Sequence, residues 1–382
     1  MHVAICGAGL DGLTLAVQLA RGGWNVSVVE SRPPHSRDGY LVELAGEGLA
    51  AAEAMGILPS LLESAEHLPH VRWVDARGKP IANVHVAERH DGSHEHSVHV
   101  LYEDLERVLL ENLPLNVAVR TGVFPTQAHM HGDSVALVLS SEERLSADLL
   151  IGADGCESRV RGLVFGDDGL WSRYLGYHSA SFVFGDANVH SELDGHRTVL
   201  SAPGRLVTLY PLRNEKIAVT LVHRTASNVQ PKTPARWLQF IFGDLSWRVP
   251  TVLAHARTTT DLHYDRAIQI KSSVWHRERV GLLGAACQAY SLLPGQECSA
   301  AIAAAYSLGE ELLRGTSFDT AFSWYQSYLE QEVTSQRCSG PRLAHWLMPD
   351  SRTNLVVRNS LLRMAHLPAI GRFVRPTVSL AN

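Results

Sequence analysis

Residues 2–30 read HVAICGAGLDGLTLAVQLARGGWNVSVVE. Residues 2–6 form an apolar run of the length and kind expected of a buried parallel strand. Gly7, Gly9 and Gly12 follow at the spacing G-x-G-x-x-G. The first permits a sharp turn, the second lets backbone approach a pyrophosphate, and the third lets helix and strand pack closely. A helix over 10–21 then aims its unpaired N–H groups and positive dipole end at that phosphate. A second strand, 25–29, ends at Glu30, whose carboxylate can accept hydrogen bonds from a ribose diol. The glycine spacing alone is weak evidence. In the order strand, glycines, helix, strand, acid it predicts a Rossmann-like dinucleotide fold rather than an accidental glycine-rich turn.

The chain has 382 residues, enough for a large core and two intertwined domains. Its net charge of −5 gives no electrostatic reason to expect nucleic-acid binding. Five cysteines, at 6, 156, 287, 298 and 338, make no C-x-x-C pair, so free thiols in a reducing cytoplasm are expected. The chain opens directly on the first strand, without the basic and apolar regions of a signal peptide. The most apolar window, 280–313, is interrupted by Pro294, Gln296, Glu297 and Glu310, so no integral membrane segment is expected.

Beyond Glu30 lies a polar loop in which Arg32 or Arg37 can face a phosphate, or simply be solvated. Helices are expected over 46–55, 57–64 and 102–113, and a hairpin around Arg77-Gly78. RHDGSHEHSVH, residues 89–99, clusters His90, His94, His96 and His99. Its Asp91-Gly92 turn and the lack of a completing Cys or carboxylate set read it as a solvated hairpin tip, and no metal is expected. Strands over 116–121, 134–139 and 148–151 lead into GADGCESRVR, residues 152–161. Asp154 beside Gly155 there suits a carboxylate meeting ligand hydroxyls, or an Asp capping a tight turn. Residues 174–270 turn β-rich, with alternation suited to an antiparallel sheet with one wet face, flanked by helices at 234–242 and 250–255. A last buried strand, 280–283, enters GAACQAYSLLPGQE, residues 284–297, and then an alanine-rich helix over 299–313. Helices over 318–337 and 342–346 follow. The tail over 353–374 is basic and amphipathic, a pattern that packs on the protein body more often than on a membrane.

Three strand-to-loop junctions in this order, GAGLDG, GADGCESRVR and GAACQAYSLLPGQE, resemble those of the single-component FAD-dependent monooxygenases. These are the aromatic hydroxylases of the para-hydroxybenzoate hydroxylase type and their tetracycline-modifying relatives. The likeness covers most of the chain, including the loop after Glu30 and the HYDRAIQI strand at 263–270. It implies an α/β fold: a Rossmann-like FAD-binding domain with an inserted antiparallel β-sheet substrate domain and C-terminal helices. The expected division is 1–72, 101–172 and 271–340 for the FAD-binding domain, 73–100 for a β excursion, 173–270 for the substrate domain and 341–382 for the helical end. FAD would be held by Gly7, Gly9, Gly12, Glu30 and Arg37, by Asp154 and Gly155, and by Pro294, Gly295 and Gln296. The resemblance also implies NAD(P)H as a co-substrate, and the lack of a second glycine motif for a nicotinamide domain agrees with that family. NAD(P)H would reduce FAD, and the reduced cofactor would use O₂ to hydroxylate a small aromatic or polyketide-like substrate. Tyr177, Phe182, Phe184, Tyr210 and His223 are candidates for the substrate pocket, with Tyr264 and Asp265 weaker ones. No general base is assigned. A monomer or homodimer is expected.

Three positions depart from the family pattern. Tyr102 stands where an Arg usually opens a helix, Ala285 where the third junction has Asp, and Glu297 where a Gly lies under the ring. Together they make the site one unit more negative. A Glu297 facing the ring would lower the reduction potential, and one turned to solvent would not. The clustering of these departures keeps two further readings open. One is a redox-silent relative with weak or lost FAD binding that catalyses a cyclisation or isomerisation. The other is a non-catalytic binding protein on the same scaffold.

Overall fold

The computed structural model describes residues 1–32, 39–68, 70–85, 97–166, 171–289 and 297–364. Arg37, Pro294, Gly295, Gln296, His90, His94 and His96 lie outside them. So does the tail beyond residue 364.

The first strand, β1 (His2–Cys6), is followed by helix α1 (Leu10–Arg21) and strand β2 (Asn25–Glu30). Strands β1 and β2 pair in parallel, and α1 crosses between them with nine buried positions. Leu149–Gly152 and Val280–Leu282 extend the parallel sheet beyond β1, and Ala118–Thr121 extends it beyond β2. The short strand His276–Arg277 closes one edge in antiparallel sense. The central strands, β1, β2, Leu149–Gly152 and Val280–Leu282, are buried and show the apolar runs from which they were expected, whereas Ala118–Thr121 at the edge is partly exposed. Two strands that the sequence reading passed over, Pro125–His131 and Arg144–Ala147, flank Ser134–Leu139 in a separate antiparallel sheet.

The second large sheet has eight strands. Ser172–Gly185 lies near one edge, between His263–Lys271 and Lys216–Arg224; Arg205–Pro211 and Arg197–Ala202 follow. His70–Val74 joins in parallel, and its hairpin partner Pro80–His85 forms the far edge. The expectation of one wet face is corrected: Lys216–Arg224 is buried at every position except its two ends. Helices Pro234–Phe242 and Val249–Ala256 cover one face, placing Leu238, Phe242, Val252 and Leu253 against Phe182, Val219 and Leu221. The opposite face meets Leu41 and Leu101 at one end and the C-terminal helices at the other.

A second correction concerns the C-terminal helices. Phe318–Leu347 is one helix, where two, over 318–337 and 342–346 with Pro341 between them, had been expected. A proline forfeits one N–H but fixes φ near the helical value, and the turns on both sides carry it. Helix Arg352–Arg363 packs on the eight-stranded sheet through Leu362 and a buried Arg358, whose guanidinium lies 4.5 Å over the Trp73 ring. That burial pushes the Arg358 pKa down to about 10. No helix among the described residues is long and apolar enough to cross a membrane.

The helix-covered face also holds His223, 1% exposed, whose Nε2 lies 3.0 Å from Tyr264 Oη. His178 Nδ1 lies 3.0 Å from the same hydroxyl. A phenol donates once and accepts once, so it bridges the two neutral rings. Burial pushes the His223 pKa down to about 4. The folded state thus binds fewer protons here than the unfolded chain, whose His titrates near 6.5. Stability is full above about pH 6.5 and falls as the pH drops toward 4, by on the order of 3 kcal/mol for this one group. Urea unfolding across that range should show the decline, and His223→Asn should flatten it. An unchanged slope in the variant would assign the decline to other groups.

Candidate functional site

The glycine turn is built by contacts that exclude side chains. A Cβ on Gly7 would lie 2.0 Å from the Ala153 carbonyl oxygen, and Gly7 has φ +114°. Gly7 N–H donates to Val29 O at 2.7 Å, and Ala153 N–H to Cys6 O at 2.7 Å. The first and second junctions therefore sit back to back. A Cβ on Gly12 would lie 2.1 Å from Gly7 O, so α1 rests directly on the turn. Gly9 differs. The nearest atoms to a Cβ there would be Asp11 Oδ1 at 3.2 Å and Tyr102 Oη at 3.5 Å. Gly9 has no side chain with which to cap α1, and Gly12 N–H donates to Asp11 Oδ1 at 3.1 Å, so the N–H groups ahead of Gly12 are the ones left to an anion.

A cleft of about 970 Å³ opens beside this turn. Gly7, Gly9, Glu30, Asp154 and Gly155, all singled out in the sequence, line it. Glu30 is 8% exposed. Its Oε2 accepts from Ala8 N–H at 2.7 Å and its Oε1 from Arg32 N–H at 2.7 Å. The carboxylate thus braces the loop while keeping lone pairs for a diol. Of the two arginines considered, Arg32 lines the cleft, held by Glu106 at 2.8 Å. The wall beyond Glu30 is Val123, Phe124 and Pro125, and Arg159 lies 3.9 Å over the Phe124 ring.

Of the two readings of Asp154, the structure shows the cap and places the residue at the cleft. It lines the cleft, and it also accepts from Arg159 N–H at 2.7 Å and Val160 N–H at 3.1 Å, capping helix Arg159–Phe165. Burial raises its pKa, with the Ser158 hydroxyl and backbone N–H groups pulling the other way. Gly155, at φ +78°, has open space beside it. Arg161, which the sequence reading did not single out, is 1% exposed. It donates to Ala286 O at 2.7 Å and Cys156 O at 2.6 Å, tying the second junction to the third.

The three departures cluster here. Tyr102 and Ala285 line the cleft. The Tyr102 ring lies 4.9 Å from that of Tyr40, which lies 5.6 Å from that of His263. This aromatic chain runs from the glycine turn to the eight-stranded sheet. Glu297 caps helix Cys298–Leu313 and is half-buried. Its charge reaches Asp11 and Cys156, raising the pKa of both.

The substrate candidates divide between the faces of the sheet. Phe182, Phe184 and His223 point into the core closed by helices Pro234–Phe242 and Val249–Ala256. Their expected place in a pocket is corrected: alternation puts them on the face turned away from the glycine turn. Tyr264 joins them through its two histidine contacts. Tyr177 packs on the other face, with Trp73 and Leu347. Tyr210 lies on that same face beside Leu41, Leu101 and Val183, next to the elements that carry Tyr40 and Tyr102.

Cross-strand register identifies what the sequence reading missed on this face. Ser181 pairs with both Thr220 and His263, and Thr220 pairs with Thr208. Paired residues share a face, so His263, Ser181, Thr220 and Thr208 form one row. It runs next to the row of Val183, Ala218 and Tyr210. The Ser181 hydroxyl is buried and has no hydrogen-bond partner among the described residues. Asp265 pairs with Ser179 one row further.

The donor set fits the ADP half of a dinucleotide. It offers bare helix N–H groups for phosphate, an acid for the ribose, and an aromatic and apolar wall with Arg32 and Arg159 beside it. Among the described residues no group of three His, Cys, Asp or Glu side chains is placed to hold a metal ion.

A family described as "FAD binding domain" matches residues 1–328. A flavin-dependent monooxygenase from an unknown prokaryotic organism is 26% identical over 353 residues, covering 91% of this chain and 90% of its own. The 3-amino-4-hydroxybenzoate 2-monooxygenase of Streptomyces cremeus is 31% identical over 237 residues, 61% of this chain and 58% of its own. The structure of Klebsiella pneumoniae HpxO with FAD and uric acid superposes with a TM-score of 0.81 at 20% identity, covering 99% of this chain and 97% of its own.

Proposed function

The chain belongs to the FAD-binding-domain family of flavin-dependent monooxygenases, and on that premise we propose that NAD(P)H is its reductant and a small, neutral aromatic or polyketide-like molecule its substrate. FAD, when bound, supplies the redox chemistry and the activation of O₂. Gly9 and the first turn of α1 hold its phosphates, and Glu30 its ribose. Tyr102, Tyr40 and His263 form the aromatic path between that cradle and the sheet.

The observation that carries the substrate class is the row Ser181, Thr220 and Thr208, with His263 at its end. Three hydroxyls and an imidazole can each donate or accept, so they suit carbonyl and hydroxyl groups. The apolar neighbours on either side, Val183 and Tyr210 on one and Val222 and Leu206 on the other, suit rings. The aromatic substrate in the name of the Streptomyces relative accords with this. Tyr210 borders the row, and Asp265 lies one row away. Free Cys6, Cys156, Cys287 and Cys298 accord with a reducing cytoplasm, and a monomer or homodimer is the assembly in keeping with a site built within one chain.

The test is O₂ uptake and NADH or NADPH oxidation over a panel of phenols and polycyclic polyketides. Stimulation by a panel member, with KM raised about tenfold in Thr208→Val/Thr220→Val at unchanged FAD affinity, is the expected result. A redox-neutral product formed without nicotinamide would replace this reading with the cyclase or isomerase one. Conversion of nothing, in a protein that binds panel members, would leave a binding protein.

A further inference from the structure

Asp11 occupies a crossing that no glycine motif requires of it. It stands in the first turn of α1 and lines the cleft. Its Oδ1 accepts from Gly12 N–H at 3.1 Å and faces Gly9. Its Oδ2 lies where the Cβ of residue 284 would be: a Cβ on Gly284 would come within 1.8 Å of it. Gly284 has φ +58°, so glycine serves there both for the turn and for the room it leaves the carboxylate. One side chain thus spans the first and third junctions. The third junction itself, Gly284-Ala285-Ala286-Cys287, brings no charged or hydroxyl side chain. Among the described residues no hydrogen bond to Asp11 Oδ2 is present, whereas both oxygens of Glu30 and both of Asp154 accept hydrogen bonds.

We propose that Asp11 accepts hydrogen bonds from the hydroxyl-bearing linker of FAD, the polyol joining its pyrophosphate to its ring. The proposal rests on the cleft being the FAD site and deepens that reading. An ionised carboxylate only accepts, so its ligand must bring donors. A pyrophosphate brings none, and two anions side by side repel. FAD carries hydroxyls in two places, the ribose and the polyol. Glu30 stands at the ribose end, at the tip of β2. Asp11 stands at the other side of the helix N-terminus, against the third junction. Burial pushes the Asp11 pKa up to about 7, with backbone N–H groups opposing the shift and Asp154 and Glu297 adding to it. Hydroxyl donors would offset that loss of solvent.

The opposite sign is also physically defined. A carboxylate in the first turn could act as a built-in anion that competes with the pyrophosphate for helix N–H groups. FAD and ADP separate the two, because ADP keeps the phosphates and ribose but has no polyol. Dissociation constants for both ligands should be measured by calorimetry on the wild-type chain, Asp11→Asn and Asp11→Ala. The proposal predicts FAD affinity down about tenfold or more in Asp11→Ala, a smaller loss in Asp11→Asn, and ADP affinity unchanged within about twofold in both. Asp11→Ala/Ala285→Asp should recover part of the loss, since residue 285 lines the same cleft. A rise in affinity for both ligands would overturn the proposal in favour of competition. An equal fall for both would make Asp11 a support of the turn. Failure of the wild-type chain to bind either ligand would instead overturn the FAD site itself. Asp11→Asn is isosteric, and its melting curve checks that the fold is retained.

Discussion

Gly9→Val weakens FAD binding by about a hundredfold and leaves the melting temperature of the flavin-free protein within about 2 °C of the parent. The reasoning is geometric. A Cβ at residue 9 meets nothing closer than 3.2 Å, and the backbone there is extended at φ −71° and ψ 179°, open to any residue. The added methyl groups therefore stand in the cleft, over the bare N–H groups of α1, where a phosphate must come within hydrogen-bond distance. Fluorescence quenching of FAD measures the affinity, and calorimetric melting the fold. Unchanged affinity would mean that the phosphates do not lie on this turn.

Gly12→Ala has the opposite profile. Its Cβ would lie 2.1 Å from Gly7 O and 3.3 Å from the Ala153 methyl, both in the packed floor of the first two junctions. Backbone cannot yield there without moving α1 off the sheet. Overpacking of this kind costs about 3 kcal/mol, which lowers the melting temperature of the flavin-free protein by about 4 °C. The paired result separates two glycines of one motif: residue 12 serves the fold and residue 9 the ligand. A Gly12→Ala protein as stable as its parent would show that the turn relaxes freely.

The dinucleotide half was legible because its signals are local. The apolar run of β1, three glycines at fixed spacing and Glu30 at the end of β2 all lie within thirty residues, and strand, turn and helix each constrain the next. The parallel register of β1 and β2 needs only the crossover that α1 provides. The sheet domain was legible as β, but alternation names two faces without saying which one turns toward the cofactor. Phe182, Phe184 and His223 were expected in a pocket for that reason, and the helices Pro234–Phe242 and Val249–Ala256 bury them instead. The row of Ser181, Thr220 and Thr208 becomes visible only through cross-strand register. Asp11 and Arg161 escaped notice because their partners, Gly284 and Ala286, are far along the chain. An aspartate at the third x of G-x-G-x-x-G carries no motif of its own. Its meaning comes from a glycine that leaves it room.

Glu297 and Ala285 bear on the same point. Judged one at a time, each removes something from a flavin site. In the folded chain Ala285 lies in a cleft where Asp11 already presents a carboxylate. Glu297 adds negative charge to that neighbourhood, felt at Asp11 and Cys156. With the cofactor bound beside them, carboxylates at 11, 154 and 297 would favour its oxidised form over an anionic reduced one.

The visible absorption spectrum of the purified protein during titration with FAD is the most direct measurement. One flavin bound per chain, with the spectrum of the free cofactor perturbed on binding and the perturbation weakened in Gly9→Val, is the predicted result. A chain that remains colourless after removal of unbound FAD at saturating concentrations would contradict it.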